Sequence, residues 1–168
     1  NFDDEYLGRT TLRRALMHSA NAATVRVSRS VGEPRVIDAA RRNGIASELG
    51  TSPSIALGSY EVTPLELVGA YAPFANGGWR VTPRIVAKVA TPDGTVLWTS
   101  DPVRTPAMDP RDAFQLTSML RSVVDEGTGH AVRDYGVTGP IAGKTGTTNN
   151  GTDVWFVGYT PTLIAGFW

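Results

Sequence analysis

The stretch Ala142-Gly143-Lys144-Thr145-Gly146-Thr147-Thr148 decides the fold, and it holds the densest group of chemically useful side chains in the sequence. Residues 140–142 lead into it like a short strand. Two further runs, residues 153–159 and 163–168, follow it and are rich in β-branched and aromatic residues. This pattern predicts antiparallel strands, with the lysine on an edge strand. Gly146 has no Cβ, so we expect another backbone to approach closely there.

The amine and hydroxyl groups of this stretch are suited to binding a carboxylate. Lys144 would attract the carboxylate by charge, while Thr145 and Thr147 would donate hydrogen bonds to it. The simpler interpretation is a polar edge strand that lysine and threonine keep soluble. A phosphate loop is excluded, because a Walker A motif needs glycine where Thr138 stands and because Pro140 removes a backbone donor.

Composition narrows the class of protein. The 168 residues suit about one domain, and 16 basic residues balance 16 acidic ones. Nothing in this charge indicates a nucleic-acid partner. The chain has no cysteine, and His18 and His130 belong to no motif, so neither a metal site nor a cofactor is expected. No apolar run approaches the roughly 18 residues of a membrane span. Asn1 and Trp168 both look like cut ends, which predicts a piece of a larger protein.

Start and stop signals along the first 139 residues predict mainly helices. Pro64 and Pro110 stand at first-turn positions, Thr63 is a candidate cap, and Pro73 is expected to kink its helix. The predicted helices are 11–16, 21–31, 34–43, a segment from 64 to at most 78, and 110–126. A β-hairpin near 84–99 is predicted around Pro92-Asp93-Gly94.

These elements give an α+β fold, a helical subdomain (1–139) followed by antiparallel sheet strands (140–168). We expect residues 1–168 to be a single partial domain, incomplete at both ends.

A second candidate site is Ser19-Ala20-Asn21, at the junction of two predicted helices. A serine and an asparagine at such a turn are most often an N-cap pair. Together with the lysine strand, however, Ser-x-Asn and Lys-Thr-Gly are two of the three motifs of serine β-lactamases and penicillin-binding proteins. The combination is much rarer than either motif alone.

Over nearly its whole length, the chain resembles the transpeptidase domain of class A penicillin-binding proteins, the bifunctional peptidoglycan synthases. The stretches that carry the resemblance are Thr11–Leu16, Ser19–Asn21, Ala56–Leu67, Ala75–Gly78, Glu126–Gly129, Ala142–Thr148 and Asp153–Pro161.

The resemblance implies a penicillin-binding-protein and serine β-lactamase-like fold and a D,D-transpeptidase reaction. In that reaction a serine attacks the D-Ala-D-Ala bond of a peptidoglycan stem peptide, and β-lactams are inhibitors. It further implies that Ser19 relays a proton and that Asn21 holds the catalytic lysine and the substrate amide. Lys144 would favour the terminal carboxylate, which Thr145 and Thr147 would bind beside Gly146. The Thr147 N–H would be one oxyanion donor.

The chain departs from this family at the nucleophile, which lies in a Ser-x-x-Lys motif. Ile85 and Ile141 stand three positions before Lys88 and Lys144, so the motif is absent from these residues. We therefore expect a chain that is inactive alone and that needs an upstream segment of the same domain as its partner. The alternative is a non-catalytic module that binds muropeptides or another protein. The resemblance also implies an extracytoplasmic location, with membrane contact only through an anchor elsewhere in the parent protein.

Overall fold

The structure, a computed structural model, describes residues 6–148 and 151–168. Residues 1–5 and 149–150 of the predicted domain lie outside this part. Within it, the helices are α1 (Leu12–Met17), α2 (Asn21–Val31), α3 (Glu33–Asn43), α4 (Pro64–Gly69), α5 (Ala72–Ala75), α6 (Pro110–Asp125) and α7 (Ala131–Asp134), with a short 3-10 helix at Pro53–Leu57. The strands are β1 (Trp79–Val81), β2 (Lys88–Ala90), β3 (Val96–Thr99), β4 (Arg104–Pro106), β5 (Ala142–Thr147), β6 (Val154–Tyr159) and β7 (Ile164–Phe167).

The predicted edge strand is confirmed. Strands β5, β6 and β7 form an antiparallel sheet in that order, so β5 lies at one edge. Lys144 is opposite Val157 in the register, and Thr147 is opposite Val154. The α+β prediction is confirmed with it.

Helix α6 positions the sheet against the helical half. Asp109 caps its first turn by accepting a hydrogen bond from the Arg111 N–H at 2.8 Å, and Pro110 needs no donor there. Its apolar face packs on β5 and on α1. Leu120 and Val123 from this face join Ala142 and Tyr159 in the buried core. Complete burial of a side chain such as Val123 stabilises the fold by about 1.5–3 kcal/mol.

The helix starts and stops in the first half follow the predicted signals. Thr63 and Glu66 form a capping box at α4, and Pro73 stands in the first turn of α5, just after the break between the two helices. The Glu66 carboxylate also accepts hydrogen bonds from Ala46 and Ser47. These hydrogen bonds, led by the one from the Ser47 side chain, lower the pKa of Glu66 to about 2.

The predicted hairpin near 84–99 is confirmed as β2 and β3, although β2 begins only at Lys88. A second antiparallel pair, β1 with β4, was not predicted. Gly78 closes this pair, because its carbonyl accepts from the N–H groups of Ala107 and Met108. Within the described ranges, no helix is long and apolar enough to cross a membrane.

Candidate active site

Lys144 reaches from the edge strand to the helical half. Its Nζ donates to Ser19 Oγ at 2.9 Å and to the Thr145 carbonyl oxygen at 2.9 Å, and it lies 3.4 Å from Thr145 Oγ1. Ser19 and Lys144 are 125 residues apart in sequence. The structure thus joins the two predicted motifs through one hydrogen bond.

Partial burial weakens the proton affinity of this amine. Desolvation lowers the pKa of Lys144 to about 8 from the ordinary lysine value of 10.5, because the charged form loses hydration. Lysine groups with a pKa near neutrality can both hold and exchange a proton under physiological conditions. Lys144 is therefore suited to electrostatic work and to proton transfer.

Ser19 is not the helix cap that its neighbourhood suggested. The N-cap of α2 is Ala20, which makes no side-chain cap. Ser19 instead ends α1: its N–H donates to the Leu16 carbonyl at 3.1 Å, and the Ala20 N–H donates to the Ala15 carbonyl at 2.9 Å. This pair of bonds is a Schellman motif, in which the position held by Ser19 is usually glycine. The N-cap interpretation of Ser19 was wrong.

The backbone of Ser19 is left-handed, with φ of 53°. Among residues 6–148 and 151–168, it is the one non-glycine residue with a positive φ. A conformation of this kind costs of order 1–3 kcal/mol and clusters at functional sites. In this strained turn, Ser19 Oγ points toward Lys144 and accepts its hydrogen bond.

Asn21 is the first residue of α2 and is half-buried. Within the part of the chain that the structure describes, Lys144 Nζ bonds to Ser19 and Thr145 and not to Asn21. The Ser-x-Asn motif is therefore divided: the serine touches the lysine, and the asparagine stands two residues on, at the start of the next helix.

The threonines of β5 face different partners. Thr145 Oγ1 lies 2.7 Å from Thr128 Oγ1. The Thr148 N–H donates to the Asp153 carbonyl at 3.0 Å, so residue 148 faces β6. Backbone N–H groups alternate along an antiparallel strand, and the Thr147 N–H therefore points away from β6 to the open edge. The Thr147 N–H is therefore available to a ligand at this edge.

Close backbone approach occurs at Gly143 rather than at Gly146. A Cβ on Gly143 would stand 2.8 Å from the Phe156 ring and 2.9 Å from the Val157 carbonyl oxygen. A Cβ on Gly146 would meet only Trp155 Cβ, at 3.4 Å. The expectation for Gly146 was wrong, because the crowded side of β5 lies at its first half.

A groove of about 850 Å³ runs along β5. Its polar rim contains Lys144, Thr145, Gly146, Thr147 and Thr148. Its opposite wall is largely apolar and comes from α3, the 3-10 helix and the loops on either side of that helix, with Val36, Ala40, Leu49, Ile55 and Val62 among its residues. Ser19 joins this site through Lys144. Sequence reasoning did not place in a site the four aromatic residues that line the groove, Tyr60, Tyr71, Trp155 and Trp168.

No residues here suggest a metal centre. Within the described ranges, no group of three or more histidine, aspartate or glutamate side chains could hold an ion.

Comparison with known proteins decides the family. The model of the penicillin binding protein transpeptidase domain matches residues 1–164. The chain belongs to this family. Penicillin-binding protein 1A of Neisseria meningitidis serogroup A is 40% identical over 170 residues, which cover 98% of this chain and 21% of that protein. Penicillin-binding protein 1A of Rickettsia conorii is 34% identical over 189 residues, covering 99% of this chain and 24% of that protein. The class A resemblance is confirmed.

Solved structures of penicillin-binding proteins have the same fold as this chain. The crystal structure of penicillin-binding protein 1A from Haemophilus influenzae matches with a TM-score of 0.91 at 25% identity, over 99% of this chain and 30% of that one. The PonA1 protein of Mycobacterium tuberculosis, solved in complex with penicillin V, matches with a TM-score of 0.83 at 27% identity, over 99% and 49%. The chain spans about a fifth of the length of the Neisseria relative.

The left-handed turn of this penicillin-binding protein chain predicts an order of stability for variants of Ser19. Ser19→Gly should be more stable than Ser19→Ala by about 1 kcal/mol, since both lose the hydroxyl and only alanine keeps the strain. Ser19→Thr retains the hydroxyl, but it should be less stable than the wild type, because a β-branched side chain is an outlier at a positive φ. Urea unfolding measures all three. Threonine is a good N-cap, so a threonine variant as stable as the wild type would contradict the placement of Ser19 in a left-handed turn at the end of α1.

The burial of Lys144 predicts an unusual titration. The lysine NMR signal of Lys144 should titrate with a midpoint of about 8. The unfolded chain binds the proton up to a higher pH, so Lys144 should make the fold more stable as pH rises from about 8 to 10.5. The chain has two lysines, and Lys88→Arg assigns the signals. A midpoint at the ordinary lysine value would show that Lys144 is not desolvated.

Proposed function

We propose that this chain is part of a D,D-transpeptidase that cross-links peptidoglycan stem peptides by serine acyl transfer and that β-lactams inhibit. Its residues 1–168 would form part of one transpeptidase domain, on the outer face of the cytoplasmic membrane. Family membership supports the reaction class. The observation that carries the proposal is the 2.9 Å hydrogen bond from Lys144 Nζ to Ser19 Oγ, beside the rim of the groove.

The geometry supports a proton-transfer role for Ser19. Lys144 donates to Ser19 Oγ, so the hydroxyl proton of Ser19 is directed elsewhere and can pass to the amine that leaves when the D-Ala-D-Ala bond breaks. Lys144 can then return a proton to Ser19, because its pKa of about 8 is close to the working pH, and it would regain its own proton from the group that deprotonates the attacking serine. General acid–base catalysis of this kind contributes about 10²–10⁴-fold.

The edge of β5 would bind the terminal carboxylate and the developing oxyanion. Lys144 supplies positive charge, and the hydroxyls of Thr145 and Thr147 line the groove with it. The outward Thr147 N–H would donate to the oxyanion, and one such donor is worth roughly 10²–10³-fold in a well-studied protease. Among the residues that the structure describes, Lys144 Nζ bonds to Ser19 and Thr145 and not to Asn21. Asn21 would therefore contact the substrate amide or the lysine of the nucleophile motif.

The nucleophile itself would come from an upstream segment of the same domain. The sequence has no Ser-x-x-Lys, because isoleucine precedes each lysine by three positions. The apolar wall of the groove, including Val36, Ala40 and Ile55, is a suitable surface for that segment. The proposed partners are therefore this segment, stem peptides and β-lactams.

A second candidate function is a non-catalytic module that binds muropeptides or another protein. The missing Ser-x-x-Lys favours it, whereas the Ser19–Lys144 contact favours the enzyme. A module that only binds needs neither the strained serine nor its bond to a desolvated amine.

Acylation by benzylpenicillin, followed by intact-mass spectrometry, tests the proposal. The complete protein that contains these residues should form one stoichiometric adduct, and the 168-residue chain alone should form none, because it lacks the nucleophile. Lys144→Ala in the complete protein should slow acylation by about 10²-fold or more, since charge and proton transfer are both lost.

Lys88→Ala is the matched control, because Lys88 is an exposed residue of β2 outside the groove. Its acylation rate should equal that of the wild type. An adduct on the 168-residue chain would show that a serine within it, Ser19 first, can act as nucleophile. A complete protein that forms no adduct would favour the binding module.

A further inference from the structure

The turn Glu126-Gly127-Thr128-Gly129 after α6 has no role in the proposed mechanism. It nevertheless stands between the two halves of the site. The Thr128 N–H donates to the Met17 carbonyl at 3.2 Å, in the last turn of α1. The Gly129 N–H donates to the Val123 carbonyl at 2.9 Å and ties the turn to α6.

Gly127 brings this turn close to α1. A Cβ at Gly127 would collide with the Met17 carbonyl oxygen and would stand 2.7 Å from Met17 Cγ. Only glycine permits that approach, so the backbone of the turn is held by packing and by its own hydrogen bonds. The position of Thr128 therefore does not depend on its hydroxyl.

The Thr128 hydroxyl closes a ring of contacts around the site. Thr128 Oγ1 lies 2.7 Å from Thr145 Oγ1. Thr145 accepts from Lys144 Nζ at its carbonyl, and Lys144 bonds to Ser19, two residues after Met17. From Met17 the ring returns to Thr128 through the backbone bond of the turn. Met17 and Thr128 both lie outside the two sequence motifs, and of these two residues only Thr128 contributes a side chain to the ring.

The direction of the protons in this ring matters for binding. Lys144 Nζ, which can only donate, lies 3.4 Å from Thr145 Oγ1. If Thr128 also donates to Thr145 Oγ1, that oxygen accepts from both sides and its own proton has to point elsewhere. The groove is where an acceptor would stand, since Thr145 lines it.

We propose that Thr128 is a positioning residue, whose hydroxyl donates to Thr145 so that Thr145 presents its own proton to the carboxylate of the ligand. Consecutive hydrogen bonds polarise one another, so the Thr145–carboxylate bond is strengthened. This inference rests on the proposed function, which supplies the carboxylate-bearing ligand.

The test compares two ligands that differ in the carboxylate, benzylpenicillin and its methyl ester, on the complete protein. In Thr128→Val, the second-order acylation rate for the acid should fall about three- to tenfold, which corresponds to the loss of one neutral hydrogen bond. The rate for the ester should change by less than about twofold, because a neutral ester gains little from an oriented donor. The preference for the acid should therefore shrink.

Three variants control the measurement. Thr128→Ser retains the hydroxyl and should restore the preference for the acid. Thr128→Ala should give the same rates as Thr128→Val, and it takes the place of the valine variant if that variant has a lowered melting temperature. Thr105→Val removes an exposed threonine hydroxyl of β4, outside the groove, and should leave both rates unchanged.

The outcomes separate this inference from the proposed function. A wild-type protein that is not acylated, or that shows no preference for the acid, contradicts the proposed function. A wild-type preference that persists in full in the valine and alanine variants overturns the role of Thr128 alone. Equal losses for the acid and the ester overturn it as well, since they would mean that Thr128 only supports the structure.

Discussion

The candidate site of this chain depends on one hydrogen bond, from Lys144 on the edge strand to Ser19 at the end of α1. The bond needs β5 to lie near the turn that ends α1, because Lys144 reaches from the sheet to the serine of that turn. It also needs the left-handed turn at Ser19, which a helix-capping serine would not adopt. Helix α6 holds both parts in place, since its buried face packs on β5 and on α1. The desolvation of the amine is the electrostatic cost of this arrangement, and its lowered pKa is the chemical result.

Local rules predicted most of the fold. The bounds of α2, the cap at Thr63, the break at Pro73 and the edge position of β5 all follow from signals within a few residues. The pair β1 and β4 was missed because both strands have three residues, too few for a recognisable alternation. The crowding at Gly143 was also missed, because it depends on the Phe156 ring of the neighbouring strand.

The candidate site was predictable only in part. Ser19 and Lys144 came from a spacing of motifs that resembles a family, and no local property of either residue predicted their contact. The conformation of Ser19 carries no sequence signal, since glycine is the usual residue at that position and serine before a helix suggests a cap. Thr128 lay in a stretch that matched the family, yet its bond to Thr145 appears only once α6 and β5 are packed together. Site residues that act through other residues escape motif reasoning in this way.

A double-mutant cycle on the complete protein tests whether Ser19 and Lys144 act as one unit. The acylation rate with benzylpenicillin is measured for the wild type, Ser19→Gly, Lys144→Ala and the double variant; glycine is used because it fits the left-handed turn. If the two residues form one unit, the double variant should be slowed about as much as the slower single variant. A double variant slowed by the product of the two single losses would show that the residues act independently, and it would contradict the account.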